Sequence, residues 1–93
     1  MNICIIGTGY VGLVSGVCFA DLGHNVKCVD LDKKKISDLN NGIIPIFEPG
    51  LEALLKKNDK KDRINFTTDM DDGLRNADAI FIAVGTPSRR GDG

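Results

Sequence analysis

Short runs of apolar, β-branched residues alternate along the chain with longer segments in which apolar residues recur at helical spacing. Residues 2–6, 26–30 and 64–67 are short runs of this kind, and each is predicted to be a strand. Residues 79–84 are apolar at every position, a pattern typical of a strand that is buried on both faces. The apolar pattern therefore predicts four strands.

Helical spacing and capping residues predict four helices between these strands. They are residues 10–22 before Gly23, a helix capped by Asp32 that stops at Gly42, a helix from Pro49 to about residue 58, and a short helix capped by Thr68 or Asp69 that reaches about Asn76. The resulting alternation is typical of an α/β fold with a parallel sheet and right-handed crossovers, and we expect the strand order 3-2-1-4.

This fold class is the Rossmann-like one, but the chain is short for it. A full dinucleotide-binding fold contains two mononucleotide-binding halves. The 93 residues provide the first half and the fourth strand only. We therefore expect residues 1–93 to be a truncated N-terminal nucleotide-binding domain, a partial domain rather than a complete one.

Residues 7–12 (Gly-Thr-Gly-Tyr-Val-Gly) match the GxGxxG pattern, and they lie between a predicted strand and a predicted helix. In such a motif Gly7 permits the tight turn, Gly9 lets a pyrophosphate approach the backbone, and Gly12 lets the helix pack closely on the sheet. The helix N-terminus then faces the anionic pyrophosphate. The alternative is a glycine-rich turn that holds no ligand.

Asp30 ends the second strand, where an acid accepts hydrogen bonds from the adenosine ribose and favours NAD over NADP. The alternative is a helix-capping Asp, although Asp32 is better placed for capping. Residues 33–35 are three lysines in the first helical turn, where cations oppose the helix dipole. They are either a solvated charge run or partners of a cofactor phosphate, and a 2′-phosphate would also suit them.

Composition narrows the function classes. The formal net charge is −1, which gives no electrostatic reason to expect nucleic acid or membrane binding. The apolar stretch 10–20 is too short to span a bilayer, and the N-terminus lacks the basic start of a signal peptide. Three cysteines without a CxxC motif are typical of reduced thiols in the cytoplasm. We expect Cys4, Cys18 and Cys28 to be small buried hydrophobic residues.

Other polar residues have simpler interpretations. His24 is expected to be a surface residue without a partner, and Glu48 to complement the dipole at a helix start. Asp69, Asp71 and Asp72 resemble a metal cluster, but they crowd a helix N-terminus, where dipole complementarity explains them without an ion. No catalytic or metal-ligating residue is predicted.

Four strings in order resemble the UDP-glucose/GDP-mannose dehydrogenase family along essentially the whole chain. They are residues 6–13 (Ile-Gly-Thr-Gly-Tyr-Val-Gly-Leu), Val29-Asp30 with Lys35, residues 45–51 (Pro-Ile-Phe-Glu-Pro-Gly-Leu), and residues 84–88 (Val-Gly-Thr-Pro-Ser). The resemblance implies that the chain binds NAD. The residues implied or expected to contact NAD are Gly7, Thr8, Gly9, Tyr10, Val11, Gly12, Asp30, Lys35, Val84, Gly85, Thr86 and Pro87.

The resemblance also implies an activity for a longer protein. The family oxidises the C6 alcohol of a nucleotide sugar to a carboxylate in two NAD-dependent steps, with UDP-glucose as the expected substrate and GDP-mannose as the alternative. The catalytic cysteine, lysine and carboxylates would lie after residue 93, so we expect this chain to be inactive alone and its longer parent to be a cytoplasmic homo-oligomer. Two other hypotheses stay open: a different NAD-dependent dehydrogenase, and a stand-alone NAD-binding module without catalysis.

Overall fold

The computed structural model describes residues 1–45 and 47–84. The elements in chain order are β1 (Asn2–Ile6), α1 (Tyr10–Asp21), β2 (Asn25–Val29), α2 (Lys33–Asn40), α3 (Leu51–Lys60), β3 (Ile64–Thr67), α4 (Met70–Leu74) and β4 (Ala79–Ile82). In these ranges no helix combines the length and the apolar character that a membrane crossing requires.

The four strands form one parallel sheet in the order β3-β2-β1-β4, which confirms the predicted topology. β1 is central, with β2 on one side and β4 on the other. A Cβ placed on Gly16 of α1 would lie 2.9 Å from Sγ of Cys28, so α1 packs directly on one face. A Cβ placed on Gly73 of α4 would lie 2.1 Å from Cγ2 of Val29, on the opposite face. Because β1 pairs in parallel with both β2 and β4, the carboxyl ends of these three strands share one edge of the sheet.

The core lies between the sheet and the helices α1, α2 and α3. Its buried members are Ile3, Ile5, Leu13, Val17, Ala20, Val26, Cys28, Ile36, Leu39, Leu51, Leu55, Ile64 and Phe66. Removal of this apolar surface from water is the main driving force for the fold.

The prediction that residues 79–84 form a strand buried on both faces was wrong about burial. The strand itself is confirmed over residues 79–82, but Ile80, Phe81 and Ile82 are 51%, 44% and 74% exposed. The physical reason is position: β4 is an edge strand that pairs with β1, and in the described ranges its apolar residues receive little cover beyond the contact between the rings of Phe81 and Phe19, 5.1 Å apart.

Smaller differences have local causes. The third helix begins at Leu51 rather than Pro49, because Gly50 adopts a left-handed conformation (φ 82°) and caps it. The fourth helix is capped by Asp69, as one of the two predictions had it, and ends at Leu74. Cys18 is exposed rather than buried, because it lies on the outer side of α1, while Cys4 and Cys28 are buried as predicted.

Candidate functional site

The turn between β1 and α1 is held between the two neighbouring strands. Gly7 has φ +107°, which glycine adopts without strain, and its N–H donates to the carbonyl of Val29 over 2.7 Å. A Cβ on Gly7 would lie 3.0 Å from backbone atoms of Ala83 and Val84. The turn therefore has room for a glycine only, as the sequence predicts.

Gly9 is the N-cap of α1, and its surroundings are open. No side chain caps this end of the helix, and a Cβ on Gly9 would meet nothing within 4 Å. The first backbone N–H groups of a helix have no partner within the helix, and the dipole there favours a negative charge. This end of α1 is thus accessible to an anionic group.

Gly12 is close-packed, but its nearest neighbour is the turn itself. A Cβ on Gly12 would lie 2.0 Å from the carbonyl oxygen of Gly7 and 3.2 Å from Cβ of Ala83. The contact between helix and sheet expected of Gly12 is made one turn later by Gly16. Glycine at position 12 keeps the first turn of α1 tight against the end of β1.

Asp30 follows β2 at the same edge of the sheet, and both of its carboxylate oxygens accept hydrogen bonds. Its Oδ2 accepts hydrogen bonds from the N–H of Thr8 at 2.9 Å and from the hydroxyl of Thr8 at 2.7 Å. Its Oδ1 accepts from the N–H of Asp32 at 3.0 Å, and Nζ of Lys35 lies 3.8 Å from Oδ2. The side chain stays 19% exposed, so the carboxylate is oriented but still reachable from solvent.

These contacts lower the pKa of Asp30. Partial burial by itself raises the pKa of a carboxyl, but the hydrogen bonds from Thr8 and Asp32 and the charge of Lys35 outweigh it. The net result is a pKa below the ordinary Asp value. Asp30 is therefore an anion at neutral pH, ready to accept further hydrogen bonds.

The three lysines at the start of α2 differ in their surroundings. Lys35 faces Asp30, whereas Lys34 pairs with Asp38 of its own helix at 2.9 Å. Lys33 is exposed. Of the three, Lys35 is the lysine that the structure brings to Asp30.

A cavity of about 180 Å³ lies at the carboxyl ends of the strands, beside Asp30. Its lining is Ile6, Gly7, Val29, Asp30, Leu31, Met70 and Val84. Leu31 and Met70 were not identified from the sequence. Each lies just beyond the end of a strand, β2 and β3 respectively, and that position is the signal that identifies them.

Tyr10 and Glu48 join the first turn of α1 to the segment before α3. The hydroxyl of Tyr10 donates to Oε1 of Glu48 over 2.5 Å, and this bond together with the Glu48 charge raises the pKa of Tyr10. Gly50 is the N-cap of α3 and no side chain caps this helix, so Glu48 is not its capping residue. This pair could not be predicted from the sequence pattern.

Three other polar residues considered in the sequence, Asp69, Asp72 and His24, have structural partners. Asp69 accepts from the N–H groups of Asp71 and Asp72, and Asp72 forms an ion pair with Lys27 at 3.1 Å. Nδ1 of His24 lies 3.1 Å from the N-terminal amine, so the prediction that His24 lacks a partner was wrong. Within residues 1–45 and 47–84, no three potential metal ligands come together.

The structure thus gathers Gly7, Thr8, Asp30, Lys35 and Val84 at one edge of the sheet, with Gly9 open beside them. Tyr10 and Val11 are exposed on the first turn of α1, and Gly12 is buried beneath it. Three further predicted contacts, Gly85, Thr86 and Pro87, lie outside the described residues.

Comparisons with known proteins agree with this geometry. The profile of the UDP-glucose/GDP-mannose dehydrogenase family, NAD binding domain, matches residues 1–93. A UDP-glucose 6-dehydrogenase of Rhizobium meliloti is 62% identical over 100% of this chain and 21% of its own length. The UDP-glucose 6-dehydrogenase YwqF of Bacillus subtilis is 57% identical over 96% of this chain and 20% of its own.

Solved structures give the same result. A ternary complex of GDP-mannose dehydrogenase from Pseudomonas aeruginosa superposes with a TM-score of 0.91 at 46% identity, covering 97% of this chain and 21% of that one. A UDP-glucose dehydrogenase from Pyrobaculum islandicum gives a TM-score of 0.88 at 39% identity, covering 94% and 20%. The chain spans about a fifth of the length of these relatives.

Proposed function

The chain belongs to the UDP-glucose/GDP-mannose dehydrogenase family and matches its NAD-binding domain. From this premise we propose that the edge of the sheet at the carboxyl ends of β1, β2 and β4 binds the adenosine half of NAD. The observation that carries the proposal is the juxtaposition of an ionised, oriented carboxylate with an uncapped helix N-terminus. Asp30 provides the first and Gly9 the second. The carboxylate can accept hydrogen bonds from ribose hydroxyls, and the helix N-terminus can bind a pyrophosphate.

The pyrophosphate would lie over the first turn of α1. The space around Gly9 admits a bulky anion close to the backbone, and the exposed residues Tyr10 and Val11 flank the approach. Backbone N–H groups then donate to phosphate oxygens, and the helix dipole adds to the attraction. This fit needs no side-chain cation at the turn.

The ribose and the base would lie on the other side of the turn. Asp30 accepts a ribose hydroxyl, and the adjoining cavity, whose rim includes Leu31, Met70 and Val84, receives the flat apolar face of adenine. Three further residues, Gly85, Thr86 and Pro87, are also proposed to contact the cofactor, as the family resemblance implies.

The same geometry supports NAD rather than NADP. A 2′-phosphate would approach the Asp30 carboxylate, whose low pKa keeps it charged. Among the described residues the cation within reach is Lys35, and it is already paired with that carboxylate at 3.8 Å, so it is less available to a 2′-phosphate. Repulsion of a phosphate group therefore prevails at this position.

For the longer protein we propose oxidation of the C6 alcohol of UDP-glucose to the carboxylate of UDP-glucuronate. When bound, NAD would supply the hydride acceptor for each of the two oxidation steps. The residues of this chain bind and orient the cofactor as the first mononucleotide half and the fourth strand, and they supply no catalytic group, so residues 1–93 alone are inactive. A GDP-mannose substrate is the second candidate, which the TM-score of 0.91 to a GDP-mannose dehydrogenase supports.

We propose that the longer enzyme is cytoplasmic. Cysteines that are free rather than paired support a reducing compartment. Its assembly is proposed to be a homo-oligomer, the commonest form of soluble assembly.

Replacement of Asp30 by Ser tests the cofactor assignment. The binding free energy of NAD should become less favourable by about 1–3 kcal/mol, the usual cost of losing a charged hydrogen-bonding partner. The ratio of the NADP to the NAD dissociation constant should decrease. The measurement is an NMR-detected titration of the chain with each dinucleotide, which also measures weak binding. Asp38→Ser is the matched control, because it removes another carboxylate paired with a lysine of α2, away from the cavity. Equal NAD affinity in the Asp30→Ser variant and the unaltered chain would contradict the assignment.

A further inference from the structure

Thr8 is the residue between the first two glycines of the GxGxxG motif, and its side chain is buried and hydrogen-bonded. It is 1% exposed, so it has no open face toward a ligand. Both of its donors, the backbone N–H and the hydroxyl, point to the same oxygen of Asp30. A buried threonine that gives two hydrogen bonds to one carboxylate oxygen orients that carboxylate.

The two oxygens of Asp30 are consequently unequal. A carboxylate oxygen offers about two acceptor directions. On Oδ2 both are used by Thr8, at 2.9 and 2.7 Å. On Oδ1 one is used by the N–H of Asp32, at 3.0 Å, which leaves one acceptor direction on a side chain that is partly exposed.

We infer that Thr8 is a positioning and specificity-determining residue: by holding Oδ2 it leaves Oδ1 as the single oxygen that receives a ribose hydroxyl. The inference rests on the proposed role of Asp30 in holding the ribose. It adds that the carboxylate grips one hydroxyl rather than both, and that the fixed orientation sets the discrimination against a 2′-phosphate. Without the threonine hydroxyl the N–H of residue 8 alone holds Oδ2, so one acceptor direction on that oxygen becomes available, the carboxylate is held less firmly, and the discrimination weakens.

The inference is tested first on the unaltered chain with ADP, 2′-deoxy-ADP and 3′-deoxy-ADP as probes, in NMR-detected titrations. A single receiving oxygen predicts that one deoxy analogue binds about ten-fold more weakly than ADP while the other binds as ADP does, ten-fold being about one lost hydrogen bond to a charged group. Equal losses for both analogues overturn the inference, because they show a grip on both hydroxyls.

The second test compares Thr8→Val with Thr8→Ser. Valine has nearly the shape of threonine but lacks the hydroxyl, whereas serine retains it. Thr8→Val should lower the ratio of NADP to NAD dissociation constants about three- to ten-fold, the value of one hydrogen bond, and Thr8→Ser should keep the ratio of the unaltered chain. A purely structural role for Thr8 weakens both dinucleotides equally and leaves the ratio unchanged, which overturns the inference. The same holds if Thr8→Ser behaves like Thr8→Val.

The pH dependence gives an independent readout. Among the described residues, the charged side chain that faces Asp30 is that of Lys35, at 3.8 Å, and the backbone N–H of Asp32 donates to Oδ1; both are unchanged in these variants. With the Thr8 hydroxyl present, the pKa of Asp30 is low and the site stays ionised as the pH falls. In Thr8→Val that pKa should rise toward the ordinary Asp value, so NAD binding should be lost at a higher pH than in Thr8→Ser. Identical pH profiles overturn the inference.

The variant Asp30→Ser distinguishes a failure of the proposed function from a failure of the Thr8 inference alone. If Asp30→Ser binds NAD as tightly as the unaltered chain, the proposed function fails and the Thr8 inference fails with it. If Asp30→Ser weakens binding while Thr8→Val leaves the NADP to NAD ratio and the pH profile unchanged, the Thr8 inference alone fails. If Thr8→Val does not fold, the deoxy-ADP probes on the unaltered chain still test whether a single oxygen receives the ribose, and equal losses for both analogues still overturn the inference.

Discussion

A methyl group added at Gly9 and the same group added at Gly12 should have opposite consequences, although the two glycines belong to one motif. Gly9→Ala should leave the fold intact and weaken cofactor binding. Gly12→Ala should destabilise the fold whether or not a cofactor is present. The contrast follows from the open space at Gly9 and the 2.0 Å distance at Gly12.

The magnitudes follow from these contacts. At Gly12 the new Cβ would lie 2.0 Å from the carbonyl oxygen of Gly7, whereas real Cβ atoms essentially never come closer than 3.0 Å. The first turn of α1 must therefore move by about 1 Å, and overpacking of this kind against backbone costs about 3 kcal/mol. At Gly9, with φ −72°, alanine is sterically allowed. The gain from a stiffer unfolded chain and the loss of a favourable cap nearly cancel, to within about 1 kcal/mol.

The assay is urea unfolding followed by far-UV circular dichroism, together with NMR-detected titration with NAD. Gly12→Ala should shift the unfolding midpoint strongly, because domains of this size are stable by only about 5–14 kcal/mol. Gly9→Ala should keep the midpoint and lose NAD affinity. An unchanged midpoint for Gly12→Ala would refute the packing argument, and unchanged NAD affinity for Gly9→Ala would refute the placement of the pyrophosphate.

Two further predictions concern α2 and β4. Lys35→Ala should raise the NAD dissociation constant more than Lys33→Ala does, because Lys35 alone of the two contacts Asp30; equal effects in the NMR-detected titration would favour a solvated charge run. Because Ile82 is 74% exposed on an edge strand, we expect the chain to self-associate through β4, and Ile82→Lys should reduce the concentration-dependent association seen in sedimentation velocity. If the two chains sediment alike at all concentrations, β4 is not the surface that associates.

The architecture was accessible from the sequence because it depends on local patterns. The β-branched run of residues 2–6, the glycines of the motif and the caps Asp32 and Asp69 each specify an element locally, and a parallel sheet with right-handed crossovers leaves few arrangements. The position of Asp30 at a strand end followed from the same pattern.

What the sequence did not reveal depends on neighbours that are distant along the chain. The grip of Thr8 on Asp30 joins residues 22 positions apart, and the bond from Tyr10 to Glu48 joins residues 38 apart. No periodicity encodes such pairs. The exposure of Phe81 was missed for a related reason: an apolar run predicts a strand, but whether that strand is covered depends on what packs beside it.

The central position of β1 has a consequence for synthesis on the ribosome. β1 is made first, and it can pair with β2 as soon as Val29 has emerged, but its other edge must wait for β4. Ala79 follows Val29 by 50 positions, and at about 5–20 residues per second this is a wait of roughly 3–10 seconds. During that interval the nascent chain presents an open backbone edge along Ile3 and Ile5, which are fully covered in the finished sheet. Synthesis of β4 therefore closes the exposed edge of β1 and ends the interval in which a chaperone would bind it.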